Sequence, residues 1–242
     1  MFSEKLINKL KQAKIVAVLT GAGISAESGV PTFRGEEGLW KKFRPEELAN
    51  FDAFMRNPEL VWEWYNYRKK IIVEVEPNPG HYALAKMEQY FEDFHLITQN
   101  VDNLHHRAGN KRIYELHGNI MRNRCVDCNK NIAEIPIDQE ELPRCECGGL
   151  IRPDVVWFGE TLPQQVMMNS FAVANNADVF FSIGTSAVIQ PAASLPLEAK
   201  HAGAYVVEIN TESTVISNLI DESILGKAGE ILPQLLDKFS IG

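Results

Sequence analysis

The sequence predicts an α/β fold: a parallel sheet covered by helices, with a smaller second domain assembled from two insertions. Five short apolar runs each end in small or polar residues, at 15–23 (IVAVLTGAG), 94–102 (FHLITQNVD), 112–118 (RIYELHG), 179–186 (VFFSIGTS) and 205–210 (YVVEIN). Continuous apolar runs between helical segments are what a sheet buried on both faces requires. Two regions break the alternation. Residues 32–80 carry aromatic helical segments where a second strand would be expected, and residues 121–151 carry all four cysteines.

Composition narrows the function classes. The chain has 242 residues, ample for one large domain with a smaller insert. Its formal charge of −8 argues against a broad footprint on nucleic acid or an anionic membrane. Near the start, Phe2, Leu6 and Leu10 recur at helical spacing among charges, which fits a docking helix rather than a secretory segment. No run approaches the roughly 20 apolar residues of a membrane span. A cytoplasmic, monomeric protein is expected.

The first run leads into GAGISA, residues 21–26, which fits the G-x-G-x-x-[G/A] dinucleotide fingerprint after a strand and before a helix. The glycines would let backbone approach a pyrophosphate, and the helix would present free N–H groups. Ordinary strand-to-helix packing remains an alternative reason for such a turn. A dehydrogenase would next show a strand ending in an acidic residue. Here the chain continues as VPTFRGEEGLW (30–40), so hydride transfer is not supported.

In parallel sheets ligands bind beyond the carboxyl ends of the strands. The strand tips GAG, QNVD, HGN, GTS and IN therefore form one candidate crest. His117 lies on it as a candidate base, with a structural role as the alternative. His81 reads as a helix-start residue after NPG, and His95, His105, His106 and His201 lack a comparable position.

Cys125 and Cys128 are separated by 16 residues from Cys145 and Cys147. Two close thiolate pairs suit a closed, tetrahedral structural zinc site; four buried thiols or a redox pair is the alternative. The second pair is one residue tighter than the usual C-x-x-C. Such a site would supply folding free energy to a loop-rich segment.

In residues 60–72 (LVWEWYNYRKKII), Tyr65 and Arg68 stand three apart and share one face of a helix. From the residues alone, Trp62, Trp64, Tyr65 and Tyr67 would pack a core while Arg68 joins Lys69 and Lys70 on a solvated face.

Taken together, GAGISAESGVPTFR (21–34), TQNVD (98–102), ELHGN (115–119), RPDVVWFGE (152–160) and GTS (184–186) resemble the sirtuins, the NAD-dependent protein lysine deacylases. The resemblance runs in order from about residue 15 to 228. It implies a Rossmann-like domain from about 1–34, 80–120 and 152–242. A small domain would combine a helical module (35–79) with a zinc module (121–151). It also implies which residues meet NAD. Gly21, Ala22, Gly23, Phe33, Arg34 and Trp40 would line the NAD loop, and Gln99, Asn100, Val101 and Asp102 would surround the nicotinamide and its ribose. Gly184, Thr185 and Ser186 would meet phosphates and ribose, Asn210 the adenosine side, and Thr211, Glu212 and Ala228 would also bind NAD. His117, with Asn100 and Asp102, would carry the chemistry, His117 as general base toward the ribose hydroxyls once nicotinamide has left. The acyl-lysine peptide would lie extended against Val156, Trp157, Phe158 and Gly159. Lysine and O-acyl-ADP-ribose would be the products, with NAD consumed.

Sirtuins that prefer acidic acyl groups carry a Y-x-x-R pair, which Tyr65 and Arg68 match. A carboxylate in an apolar tunnel needs such a phenol and guanidinium. On this resemblance a desuccinylase and demalonylase with some deacetylase activity is expected. Predominant deacetylation, mono-ADP-ribosyl transfer, and a non-catalytic NAD-sensing, zinc-stabilised adaptor are the competing readings. Trp62, Trp64 and Tyr67 are expected to be packing residues.

Overall fold

The computed structural model describes residues 2–32, 45–132, 135–139 and 141–240. The chain opens with α1 (Glu4–Gln12), β1 (Ile15–Thr20) and the short α2 (Ala22–Ala26). Four helices follow: α3 (Pro45–Leu48), α4 (Phe51–Arg56), α5 (Pro58–Glu74) and α6 (Pro79–Tyr90). Then come β2 (Asp93–Thr98), α7 (Leu104–Ala108), β3 (Ile113–Glu115), β4 (Gly118–Cys125), β5 (Asn131–Ile132) and β6 (Ile151–Val155). The chain continues with α8 (Gln164–Asn176), β7 (Val179–Ile183), α9 (Leu195–His201), β8 (Tyr205–Asn210), β9 (Glu222–Leu225) and α10 (Ala228–Ser240).

Six strands pair in the order β3-β2-β1-β7-β8-β9, all parallel. The five apolar runs are five of these strands. Their unbroken apolar character has a direct cause, because alternate side chains enter two different cores. Val16 and Val18 pack with Leu6 and Leu10 of α1, Leu84 of α6 and Leu232 of α10, whereas Ala17 and Leu19 pack with Ala174 of α8 and Ala199 of α9. The sixth strand, β9, was not foreseen: it is an edge strand in which only Ile224 is buried. Strand order reverses between β1 and β7, so the loops leaving these neighbours diverge and open a crevice at the carboxyl edge.

A second, three-stranded antiparallel sheet, β5-β4-β6, holds Cys125 at the end of β4, with Cys128, Cys145 and Cys147 in the loops that join its strands. Against it pack the helices α3, α4 and α5, through a core of Leu48, Phe54, Val61, Trp64, Tyr65, Ile120 and Trp157. Helix α5 starts at Asn57, whose side chain accepts from the Leu60 N–H across 3.3 Å, with Pro58 at its first position. Its solvated face is a stripe running through Leu60, Glu63, Tyr67, Lys70 and Glu74. Arg68 and Lys69 are buried and only Lys70 of that trio is exposed, so the solvated-face alternative is overturned. Trp62 and Trp64 are buried, as packing residues should be, but Tyr67 is 57 % exposed and is not one. Among the described residues, no helix is long and apolar enough to cross a membrane.

Candidate active site

A cleft of about 1600 Å³ lies between the two sheets, over the carboxyl edge of the larger one. The loop after β1 contributes Gly21, Ala22 and Gly23, the loop after β2 Gln99, Asn100 and Val101, and the turn after β3 His117. Opposite them stand Gly184, Thr185 and Ser186 after β7, Asn210, Thr211 and Glu212 after β8, and Ala228 opening α10. The far wall carries Tyr65 and Arg68 of α5 with Val156, Trp157, Phe158 and Gly159 after β6. Asp102 lines a small recess behind the cleft, together with Ser25, Arg68 and Asn100. Phe33, Arg34 and Trp40 lie outside the described residues.

The glycines of the first loop serve a closer neighbour than a ligand. A Cβ on Gly21 would stand 2.7 Å from the Gly184 oxygen, and one on Gly23 would stand 2.7 Å from the Gly184 Cα. The Gly23 N–H already donates to the Gly184 oxygen across 2.8 Å. Bare backbone on both sides of the strand-order reversal thus knits the two loops into a crevice floor. Of the N–H groups expected to be free for a phosphate, that of Gly23 is occupied within the protein.

Polar side chains on this floor hold one another. Gln99 Nε2 donates to Thr185 Oγ1 at 3.0 Å, and Asn210 Nδ2 donates to the Thr185 oxygen at 3.0 Å. Asn100 Nδ2 donates to the Gly21 oxygen at 3.0 Å and to Ser25 Oγ at 3.1 Å. Beneath lies a partnership that sequence reasoning missed. His81 Nδ1 accepts from the Asn78 N–H, which puts its ring proton on Nε2, 3.4 Å from Ser25 Oγ. Burial pulls the His81 pKa down to about 4, so the ring is neutral near pH 7. Ser25 therefore accepts from both His81 and Asn100 and turns its own proton to the Asp102 carboxylate. Burial raises the Asp102 pKa; the Leu104 N–H, 3.0 Å away, and the Ser25 hydroxyl oppose that shift. His81 is also a helix-start residue, as expected, closing a capping box with Asn78.

His117 is held in one tautomer. Its Nδ1 lies 2.9 Å from the Gln99 carbonyl oxygen, which can only accept, so Nδ1 carries the proton and Nε2 keeps a basic lone pair. Burial lowers its pKa below the ordinary histidine value, opposed by the Gln99 contact. The next residue must be glycine. Gly118 has φ +76°, and a Cβ there would sit 2.1 Å from the Asp154 oxygen.

Tyr65 is 1 % and Arg68 7 % exposed, yet both line the cleft. The Arg68 guanidinium stacks 4.9 Å from the Trp64 ring centre and 5.7 Å from that of Tyr65. Burial lowers the Arg68 pKa, while Tyr65 and Asp102 oppose the shift; an arginine stays charged nonetheless. On the expected peptide ledge, the N–H groups of Val156, Trp157 and Phe158 already donate to His117 O, Glu160 Oε2 and Ala49 O. An extended peptide there would have to use the remaining main-chain groups.

The four cysteine Sγ atoms lie within 4.8 Å of one another, with Cys125 and Cys147 at 3.5 Å and Cys128 and Cys145 at 3.8 Å. Tetrahedral zinc with bonds of about 2.3 Å requires sulfur pairs about 3.8 Å apart, so the donor set fits. The Cys128 and Asp127 backbone N–H groups lower the Cys125 thiol pKa, against burial, while the neighbouring thiols raise that of Cys147. A Cβ on Gly149 would come within 2.8 Å of Cys125 Sγ, so the glycine keeps the cradle open.

Comparison with known proteins agrees with this architecture. An NAD-dependent protein deacylase of Aquifex aeolicus is 52 % identical over 224 residues, which cover 92 % of this chain and 94 % of that protein. A solved complex of a Sir2 homologue with NAD matches with TM-score 0.92 at 45 % identity, covering 100 % of this chain and 95 % of that one. A Sir2–p53 peptide–NAD+ complex matches with TM-score 0.86 at 30 % identity over 100 % of both chains. The model of the Sir2 family matches residues 21–191, spanning the glycine loop, the His117 turn, the cysteines and the loop after β7; the chain belongs to the Sir2 family.

Proposed function

We propose that this chain is an NAD-dependent protein lysine deacylase that accepts acyl groups ending in a carboxylate, succinyl and malonyl foremost, as well as acetyl. The observation that carries the reading is one cleft lined by both a committed base and a committed cation. His117 offers Nε2 with its proton fixed on Nδ1, and Arg68 stands buried beside Tyr65. Relatives named as NAD-dependent protein deacylases and the NAD and peptide complexes of Sir2 structures support the choice of substrates.

NAD, when bound, supplies the glycosidic bond whose cleavage releases nicotinamide and the ribose that receives the acyl group. The chain's own residues then have separable tasks. Asn100, anchored on Gly21 and Ser25, and Asp102, held by Ser25 and Leu104, would orient the nicotinamide ribose. His117 Nε2 would take a ribose hydroxyl proton. Gln99, Thr185 and Asn210 brace the loops that would hold the phosphates and the adenosine side. Tyr65 and Arg68 would bind an acyl carboxylate through charge-assisted bonds worth about 1.5–3 kcal/mol each. Arg68 already feels Asp102, so the incoming carboxylate shares the cation rather than neutralising an isolated one.

The test is one peptide carrying acetyl-, malonyl-, succinyl- or glutaryl-lysine, incubated with and without NAD, using wild type and Arg68→Met. NAD-dependent release of nicotinamide and O-acyl-ADP-ribose is expected. Arg68→Met should reduce desuccinylation far more than deacetylation; equal losses would sink the acidic-acyl reading.

A further inference from the structure

We propose that Trp157 is a positioning residue for acyl selectivity: its indole N–H, fixed on the Tyr65 phenol oxygen, commits the Tyr65 hydroxyl to donate into the cleft. The inference rests on the acidic-acyl reading above. Trp157 Nε1 lies 2.7 Å from Tyr65 Oη, and among the described residues it is that oxygen's only hydrogen-bond partner. An indole nitrogen can only donate. The phenol therefore accepts from Trp157 and must turn its own proton elsewhere. Its charged helix neighbour Arg68 is also donor-only, so neither adjacent group can receive that proton. A carboxylate arriving at the end of an acyl chain can receive it, whereas the methyl end of an acetyl group cannot. Burial raises the Tyr65 pKa, so the hydroxyl stays protonated through the neutral range.

The indole is held as if its orientation mattered. The Arg152 guanidinium lies 3.3 Å from the Trp157 ring centre, and Phe54 packs at 5.2 Å. Arg152 is in turn fixed by both Glu160 carboxylate oxygens and, at 2.7 Å, by the Val155 oxygen. Glu160 Oε2 also accepts the Trp157 N–H at 2.8 Å. The Arg152 side chain is 3 % exposed, and burying such an ion pair is costly, so it is weak evidence of a stability role. What it fixes is the plane of the indole, and through it the direction of the phenol proton.

The experiment is a double-mutant cycle of Trp157→Phe and Tyr65→Phe, read as the ratio of kcat/KM for succinyl- over acetyl-lysine peptide. Trp157→Phe should lower that ratio about tenfold, the size of one charge-assisted bond, chiefly through a raised KM for the succinyl peptide. In the Tyr65→Phe background it should have no further effect on the ratio. If Trp157→Phe does not fold, benzothienylalanine at position 157 removes the N–H and keeps the ring. An unchanged ratio, or an equal drop in both backgrounds, overturns the inference. If Tyr65→Phe and Arg68→Met also leave the ratio unchanged, the acidic-acyl reading falls too; if they lower it, that reading stands and only the role of Trp157 is lost.

Discussion

The Lys69 ammonium donates to the Asn123 side-chain oxygen across 3.0 Å, joining α5 to β4 with no carboxylate in the pair. Lys69 is 2 % exposed and lies 5.1 Å from the centre of the Trp62 ring. Burial drives its pKa down to about 8. Below that pH both folded and unfolded chains hold the proton, and the penalty of burying the charge is fully present. From about 8 to the ordinary lysine value of 10.5 the folded chain releases the proton while the unfolded chain keeps it, so stability rises with pH. Across the window the gain is roughly 3 kcal/mol. Urea midpoints of wild type minus Lys69→Met, measured from pH 7 to 10, should climb with pH. A flat difference would show that Lys69 titrates normally.

The same helix is gripped at two further points. Trp62 Nε1 and Asn66 Nδ2 both donate to the Gln139 oxygen, at 3.2 and 3.1 Å, in the segment between the cysteine pairs. Trp62, Asn66 and Lys69 recur at i, i+4 and i+7, while Tyr65 and Arg68 sit one position away and line the cleft. Stripping metal with a chelator should release one zinc per chain and speed hydrogen exchange in residues 58–74, leaving β1 and β7 protected. Release of zinc without faster exchange in α5 would mean that the helix stands without the cysteine module.

Sequence patterns reached some of these relationships and not others, for physical reasons. Strands such as β1 and β7 were legible because both faces are buried, and edge strand β9 was not, because it buries one side chain. The glycine loop was found by its motif, but its closest contact, Gly184, is some 160 residues away and carries no local signal. Ser25 and His81 likewise meet only through the fold. Helix α5 misled in detail because it is buried on two faces, by the cleft and by the cysteine module. Charge marks its solvated side only in part: Glu63 and Lys70 are exposed, but so is Tyr67, while Arg68 and Lys69 are not.

The His117 tautomer predicts a pH profile. In its proposed role as base His117 works when neutral, and burial holds its pKa below the ordinary 6.5. The acid limb of kcat/KM should therefore fall below pH 6.5 rather than at or above it. His117→Ala should lose about 100-fold or more and, with it, that limb. A limb surviving in the variant would assign it to another group, with Asp102, whose pKa burial raises, as the next to test.

Glu208 makes a separate demand on the cleft edge after β8. It sits mid-strand in β8, 1 % exposed, in register with Ser182 of β7 and Ser223 of β9. Its carboxylate accepts from Thr214 Oγ1, Ser217 Oγ and Ser223 Oγ. Thr214 N–H and Ile216 N–H close the turn on these same hydroxyls, at 2.8 and 3.3 Å. One buried anion thus pins the segment that follows Thr211 and Glu212 at the cleft edge. Glu208→Ala removes the acceptor of the part-buried Thr214 and Ser217 hydroxyls and should cost about 2 kcal/mol in urea unfolding. Glu208→Gln keeps one acceptor oxygen and should cost less. Both variants should raise KM for NAD more than they lower kcat. A loss of stability with KM unchanged would confine Glu208 to holding the sheet, because a loosened turn would then leave the cleft edge in place.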